Sequence, residues 1–278
     1  MEAAGTIYEC KARGIFRRER MTPLSGDRVE ITVGADGTGS IDRICPRRNA
    51  LVRPPVANID RLLIITSVCD PAPNCLVIDK TIAATEDKEI DPVLVISKTD
   101  LDDGGWIEEI YRCAGIRVVK FSAVSGEGAD EVRELLCGKV SAFTGNSGVG
   151  KSSLLNCVYP GFSLPTGEIS RKLGRGRHTT REVDLLKLPD GGYVADTPGF
   201  SSLDIEKFAR IRKENLPFCF REFLPYLNRC KFTSCSHTCE KGCAVLQAVQ
   251  EGKIHPSRHE SYCAMYGEVK NIADWQLK

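Results

Sequence analysis

The sequence predicts an α/β protein. A doubly wound, mostly parallel sheet carries a phosphate-binding loop, with a small β-rich module before it and a helical, cysteine-rich segment after it. Three observations predict this. Near-continuous apolar runs at residues 62–65, 93–96, 118–121 and 140–144 alternate with helix-length segments such as 106–114 and 130–136, the pattern of parallel strands covered on both faces. The run Gly145-Asn146-Ser147-Gly148-Val149-Gly150-Lys151-Ser152 follows the last of these strands and opens a helix at Lys151-Ser152-Ser153-Leu154-Leu155. Near the C-terminus, Cys230, Cys235, His237 and Cys243 crowd into one short stretch.

Composition bounds the rest. A chain of 278 residues has room for two or three domains. With 42% apolar and 27% charged residues it is a soluble globular protein and not a disordered one. A net charge of +1 says nothing about partners, so charge is read by region. The start Met-Glu-Ala-Ala-Gly-Thr has no basic stretch followed by an apolar one, which predicts a cytoplasmic protein. No apolar run approaches membrane-spanning length, so no membrane partner is expected. The thirteen cysteines would suggest disulfides in a secreted protein. A phosphate loop places the chain inside a cell, where thiols stay reduced, so some cysteines should bind metal and others should pack as small apolar residues.

Residues 1–54 read as a small barrel of the OB type, with short strands at 5–9, 28–33 and 39–44 broken by Ser25-Gly26-Asp27 and Gly34-Ala35-Asp36-Gly37. Between residues 10 and 53 there are ten Lys or Arg against five Asp or Glu. That excess, including Arg17-Arg18, Arg20, Arg47-Arg48 and Arg53, suits a phosphate-backbone surface. A solvated basic face without a ligand is the plain alternative.

Residues 55–206 form the α/β domain, whose ligands should sit at the carboxyl ends of the strands. In Gly145, Asn146, Ser147, Gly148, Val149 and Gly150 the glycines let backbone N–H groups turn inward around a phosphate. Lys151 reaches the β- and γ-phosphates, the Ser152 hydroxyl ligates Mg²⁺, and Ser153 continues the helix start. A glycine-rich turn before an ordinary helix is the alternative. After the strand at 93–96 come Ser97, Lys98, Thr99 and Asp100. The Asp100 carboxylate can accept from the N1–H and exocyclic amine of guanine while the Lys98 stem lies along the base. Adenine leaves that carboxylate unsatisfied. Ser122 and Ala123 follow the strand at 118–121 and offer a backbone N–H to the guanine O6.

A third loop, Asp196-Thr197-Pro198-Gly199, follows a strand at 193–195. Asp196 sits where a carboxylate holds Mg²⁺ through water, and the Gly199 N–H can bond the γ-phosphate. Before it, the basic stretch 171–180 ends in His178, Thr179 and Thr180. Its threonines, Thr180 for magnesium in particular, read as a nucleotide-sensing switch, with a plain mobile loop as the alternative. Phe200 stands where Ras-like enzymes carry a glutamine, and a phenyl ring cannot orient water. His178 is the best internal candidate for that task, with a solvent-facing loop histidine as the alternative.

Residues 207–278 are expected to be a helical zinc-binding domain, with helices at 206–214, 244–250 and 258–270. Three thiolates and an imidazole at Cys230, Cys235, His237 and Cys243 make a closed tetrahedral Zn²⁺ site of structural type. Cys239 is an extra thiol that the spacing alone does not exclude. The segment is too small for a good core without its ion, so the metal should supply folding energy.

The order of the motifs carries a resemblance. Ras-type GTPases run phosphate loop, switch threonine, Asp-x-x-Gly, Asn-Lys-x-Asp, Ser-Ala. This chain runs Ser97-Lys98-Thr99-Asp100, Ser122-Ala123, phosphate loop, Thr179-Thr180, Asp196-Thr197-Pro198-Gly199, a circular permutation of that order. With the basic first module and the Cys-x4-Cys-x-His-x5-Cys spacing, it resembles the RsgA (YjeQ/YloQ) family of small ribosomal subunit biogenesis GTPases. The likeness extends to Gly26-Asp27, Pro46-Arg47, Arg53-Pro54 and Ala57-Asn58-Ile59-Asp60. It implies a circularly permuted P-loop GTPase domain, GTP and GDP with Mg²⁺ as ligands, one structural Zn²⁺, and a monomer that binds rRNA of the small ribosomal subunit and is released on hydrolysis. Two rival readings are a P-loop ATPase or kinase, against which Asp100 argues, and an RNA-binding scaffold that uses nucleotide only for structure. One departure is Ser97, where the family usually has asparagine. A serine is shorter and is expected to brace the phosphate loop less well.

Overall fold

The computed structural model describes residues 1–3, 5–18, 21–51, 55–161, 183–196 and 211–272. The first module is built from short strands: β1 (Glu2–Ala3), β2 (Thr6–Ile7), β3 (Cys10–Ala12), β4 (Val29–Val33), β5 (Gly39–Ile44), β6 (Ala50–Leu51) and β7 (Val56–Ala57), with one helical turn, α1 (Ile15–Arg18). β5 is the centre of a three-stranded sheet, parallel to β3 and antiparallel to β4. β1–β2 and β6–β7 form separate two-stranded pairs.

Several arginines of this module are paired within it. Arg47 makes a two-pronged pair with the buried Asp27 carboxylate at 2.7 and 2.8 Å and donates to the Thr22 carbonyl at 2.7 Å. Arg48 donates to the Ile59 carbonyl at 2.6 Å and to Asp60 at 2.9 Å. Arg13 pairs with Asp42 at 2.5 Å and Arg43 with Glu30. The expected phosphate-backbone surface therefore loses Arg47, whose charge is committed to the buried Asp27 carboxylate, while Arg48 is paired but stays exposed. Lys11, Arg18 and Arg28 remain exposed. Arg20 and Arg53 lie outside the described residues.

The main sheet has six strands: β8 (Arg61–Ser67), β9 (Asp91–Ser97), β10 (Arg117–Phe121), β11 (Val140–Thr144), β12 (Asp184–Lys187) and β13 (Tyr193–Asp196). Their spatial order is β10-β9-β8-β11-β13-β12, all parallel except β12, which runs antiparallel to β13 at the edge. Period-two alternation splits the apolar side chains between two layers. Leu62, Ile64, Leu94, Ile96 and Ala142 face α2 (Cys75–Glu86) and α3 (Gly105–Cys113). Leu63, Ile65, Val93, Val95 and Phe143 face α4 (Ala129–Leu136) and α5 (Lys151–Val158). Most of these side chains are fully buried, each contributing about 1.5–3 kcal/mol by removal from water.

Helix starts follow the sequence signals. Asn74 caps α2 by accepting from the Val77 N–H at 3.2 Å. α4 opens after Gly128 at φ 76°, where a Cβ would collide with the Lys120 carbonyl oxygen. Asp60 joins the first module to the sheet: its Oδ2 accepts from the Val140 N–H at 2.8 Å while its own N–H donates to the Val140 carbonyl.

Among the described residues the C-terminal part contains two 3-10 turns (Leu216–Cys219 and Arg221–Phe223) and two helices, α6 (Ala244–Gln250) and α7 (Pro256–Val269). Phe220, Phe223 and Tyr262 form its aromatic core with centroids 4.9–5.3 Å apart. Of the helix expected over 206–214, residues 206–210 lie outside the described residues and residues 211–214 are not helical. Residues 213–215 make a turn, and the N–H groups of Asn215 and Leu216 both donate to the Arg212 carbonyl, tightening the chain ahead of Pro217.

Candidate nucleotide and metal sites

Parallel pairing sends the carboxyl ends of β8, β9, β10, β11 and β13 to one edge of the sheet. The phosphate loop leaves β11 there. Its glycines take conformations that a side chain resists: Gly145 at φ 147°, Gly148 at 82° and Gly150 at 94°. A Cβ at Gly145 would strike the Ile65 carbonyl oxygen of the neighbouring strand. Lys151, at the first position of α5, donates back into the loop, to the carbonyls of Gly145 at 2.6 Å and Asn146 at 2.8 Å. Partial burial lowers its pKa from the usual lysine value. Val149 is buried while Ser147, Ser152 and Ser153 are exposed, so the serine hydroxyls of α5's first turn stay on the open side.

The base-reading loops come to the same edge. Ser97 is buried, and its hydroxyl lies 2.6 Å from the Val149 carbonyl in the phosphate loop and 3.1 Å from the Thr66 carbonyl. A hydroxyl has one proton and both neighbours are acceptors, so the shorter contact to Val149 is the hydrogen bond. The serine, though shorter than an asparagine, thus bonds the phosphate loop directly. The phosphate loop comes close enough to the end of β9 for this short side chain to reach it.

Asp100 and Ser122 meet directly, with the Ser122 hydroxyl donating to Asp100 Oδ1 at 2.6 Å. The same Ser122 oxygen accepts from the N–H groups of Val124 at 3.2 Å and Ser125 at 3.3 Å. Thr99 is tied to this turn through its N–H on the Phe121 carbonyl at 3.3 Å and its hydroxyl on Glu127 at 3.1 Å. Lys98, in the left-handed region at φ 64°, donates its ammonium to the Asp70 carbonyl. Asp100 and Ala123 are exposed at the rim.

Two features were not singled out from the sequence. The loop from β8 to α2 forms a third wall: Pro71, Ala72, Asn74, Val77 and Ile78 line a narrow cleft with Gly145, Asn146 and Val149. The signal available was its proline pair, Pro71 and Pro73. Asp79, a fully buried carboxylate in the middle of α2, is the other. Asp196 ends β13 one step beyond the Ala142–Ala195 pair, which puts its backbone at this same edge. His178, Thr179, Thr180, Gly199 and Phe200 lie outside the described residues.

The cysteine cluster is built by a tight loop. Ligand atoms of Cys230, Cys235, His237 and Cys243 all lie within 4.8 Å of one another. His237 Nδ1 is 3.5 Å from the sulfurs of both Cys230 and Cys243, which are themselves 3.8 Å apart. A tetrahedral zinc with Zn–S of about 2.3 Å and Zn–N of about 2.0 Å sets sulfurs about 3.8 Å apart and sulfur and nitrogen about 3.5 Å apart, so the donor set fits that ion. Burial pushes the Cys235 thiol up to about 12 and lowers the His237 pKa. Three thiolates at this place therefore require a cation.

The loop is held in shape by Glu240, which accepts from the Ser236 N–H at 2.7 Å and from the N–H groups of Thr238 and Cys239, each at 3.1 Å. Although burial opposes it, hydrogen bonds from Ser236 first and then from Cys239 hold the Glu240 carboxyl down at about 2. His259 contacts the His237 carbonyl at 2.8 Å, and Tyr262 donates to the Ser236 carbonyl at 2.8 Å. Cys239 is exposed and outside the cluster, which removes it as a fourth donor.

Residues 44–206 match the family model described as RsgA GTPase, and residues 1–41 match the RsgA N-terminal domain. The chain belongs to the RsgA GTPase family. A small ribosomal subunit biogenesis GTPase RsgA of Geobacillus thermodenitrificans is 46% identical over 272 residues, 96% of this chain and 92% of the relative. Its counterpart in Caldanaerobacter subterraneus is 46% identical over 267 residues, 95% of this chain and 89% of the relative. Among solved structures, YjeQ from Thermotoga maritima superposes with a TM-score of 0.81 at 39% identity, covering 95% of this chain and 90% of the other. YloQ, described as a circularly permuted GTPase, gives 0.78 at 34% identity, covering 96% and 87%. The circularly permuted GTPase fold read from motif order is thus the fold of this chain, and its phosphate-loop strand, fourth of the six in sequence, sits between β8 and β13.

Two outcomes follow. Ser97→Ala removes a hydrogen bond of about 1 kcal/mol and should raise the dissociation constant for a fluorescent GDP analogue about fivefold without changing preference for guanine over adenine. Metal analysis of the purified chain should find one zinc per molecule. Cys235→Ser should lose it together with C-terminal structure seen by circular dichroism, whereas Cys239→Ser should keep it.

Proposed function

We propose that the protein hydrolyses GTP and acts in the cytoplasm, as a monomer, in late maturation of the small ribosomal subunit. It binds the subunit's rRNA and leaves after hydrolysis. The meeting of base loop and phosphate loop through Ser97 and Val149 carries this reading, since one nucleotide can touch both only if they share an edge. Asp100 accepts the two guanine N–H donors, with Ser122 fixing its carboxylate and the Ala123 N–H facing the base O6. Lys98 lays its stem along the ring, and Thr99 keeps the loop in register. The N–H groups of residues 145–150 wrap the phosphates, and Lys151 moves its ammonium from loop carbonyls to the β- and γ-phosphates.

The residues fitted to hold magnesium are Ser152, Asp196 through water, and one of Thr179 and Thr180, Thr180 being our assignment. The ion supplies neutralisation of charge between the β- and γ-phosphates. Gly199 donates its N–H to the γ-phosphate. Hydrolysis forms a bond from water oxygen to the γ-phosphorus and breaks the bridge to the β-phosphate. With phenylalanine at position 200, His178 is the group assigned to orient that water. Zinc on Cys230, Cys235, His237 and Cys243 supplies folding energy to the C-terminal part and leaves no open position for chemistry. The functional units are residues 1–54 for RNA, 55–206 for nucleotide and 207–278 for the metal. The exposed basic residues Lys11, Arg18 and Arg28 support the RNA role of the first unit.

GTP hydrolysis measured with and without purified small subunits tests the proposal. Subunits should stimulate turnover of the wild type, and Lys151→Ala should abolish it. Asp100→Asn should weaken guanine nucleotides at least about a hundredfold by replacing an acceptor with a donor facing the exocyclic amine. ATP displacing labelled GDP as well as GTP does would contradict guanine specificity. Turnover indifferent to subunits would leave an RNA-binding scaffold as the better reading.

A further inference from the structure

Helix α2 touches both the nucleotide site and the C-terminal part. Its entry and first turn (Pro71, Ala72, Asn74, Val77 and Ile78) line the cleft against Gly145, Asn146 and Val149 of the phosphate loop. Its loop is anchored at the base side as well, by Lys98 on the Asp70 carbonyl and the Ser67 hydroxyl on the Pro71 carbonyl at 2.7 Å. One turn further on, the same helix enters the C-terminal core. Asp79 receives Arg258 of α7 at 2.6 Å, and Ala83 belongs to the Phe220, Phe223 and Tyr262 cluster. Lys80 pairs with Glu268 at 2.9 Å, and Glu86 receives Arg221 at 2.6 Å.

The pin of this contact is Arg258, fully buried with Asp79 and nearly so with Glu222. Its guanidinium donates to Asp79 through Nη1 and to Glu222 at 2.6 and 3.3 Å through Nε and Nη2. It lies 4.7 Å over the Phe220 ring and 5.8 Å from that of Tyr111 on α3. Five fixed donors on a planar group leave little freedom once two carboxylates and a ring hold it. A buried ion triad of this kind adds less to stability than to uniqueness of geometry. Here it fixes one orientation of α7 on α2.

We infer that α2 is a rigid connection between the phosphate loop and the zinc-bearing C-terminal part, and that Arg258 is a positioning residue for the phosphate loop, acting through Asp79. The inference rests on the nucleotide reading above and adds a route to it. A change in the phosphate loop presses on the first turn of α2 and reaches α7 through the helix itself, independently of the chain segment between β13 and residue 211. Coupling is reciprocal, so disturbing the pin disturbs nucleotide binding.

Two measurements on the full zinc-loaded chain test this. In Arg258→Lys the charge stays but the fork to both carboxylates is lost. Release of a fluorescent GDP analogue should quicken at least about threefold, at unchanged zinc content and unchanged guanine preference. Should that variant fold poorly, the triple replacement Arg258→Met, Asp79→Leu, Glu222→Leu removes the ions while keeping apolar volume, and the same acceleration is expected. In the wild type, hydrogen exchange should show α2 and α7 gaining protection together when GDP is added. Wild-type release rates in a folded, zinc-replete variant, or GDP protection of the phosphate loop that leaves α2 and α7 unchanged, would overturn the inference. Failure of the wild type to prefer guanine would instead overturn the nucleotide reading beneath it.

Discussion

One hydrogen bond between strand ends governs the site. The Ser97 hydroxyl, at the carboxyl end of β9, donates to the Val149 carbonyl in the loop that leaves β11, with β8 lying between them. Parallel pairing is what makes that bond available, because it sends every functional loop to one edge. Inverting the order of the motifs in the chain does not change their places in the sheet. The strands that carry the base loops, β9 and β10, precede β11 in sequence and still lie beyond β8 on the side of β11 opposite β13. A permuted chain therefore builds the same kind of pocket, with different points of entry for its two flanking parts.

Those parts are attached by different physics. The first module is joined through backbone pairing and charge: Asp60 with Val140, Arg48 with Asp60 and Ile59, and Glu2 with Lys187 and Tyr193. Its exposed ion pairs contribute little each, and Val56 and Ile59 add fully buried apolar contact with the core of the sheet. The C-terminal part is joined through a fully buried ion triad, an aromatic cluster and α2.

Much of this was legible in the sequence because the relevant signals are local. Gly145, Gly148 and Gly150 announce a loop that no other residues tolerate, and four apolar runs announce parallel strands. Cys230, Cys235, His237 and Cys243 announce a metal by spacing alone. What the sequence did not show depends on distance in three dimensions. Whether Ser97 is long enough to brace the phosphate loop turns on how closely the strand ends pack. Arg47 looked like an RNA contact because its partners, Asp27 and the Thr22 carbonyl, are brought to it only by folding. Arg258 meets Asp79 only through folding, since the two lie 179 positions apart in the chain.

The central claim is that the loop at 97–100, the turn at 122–123 and the loop at 145–152 enclose a single guanine nucleotide. The most direct measurement is residue-resolved amide hydrogen exchange across a titration with GDP. The account predicts that all three segments gain protection along one binding curve with one midpoint. Protection confined to the phosphate loop, or separate midpoints for the base and phosphate loops, would contradict it.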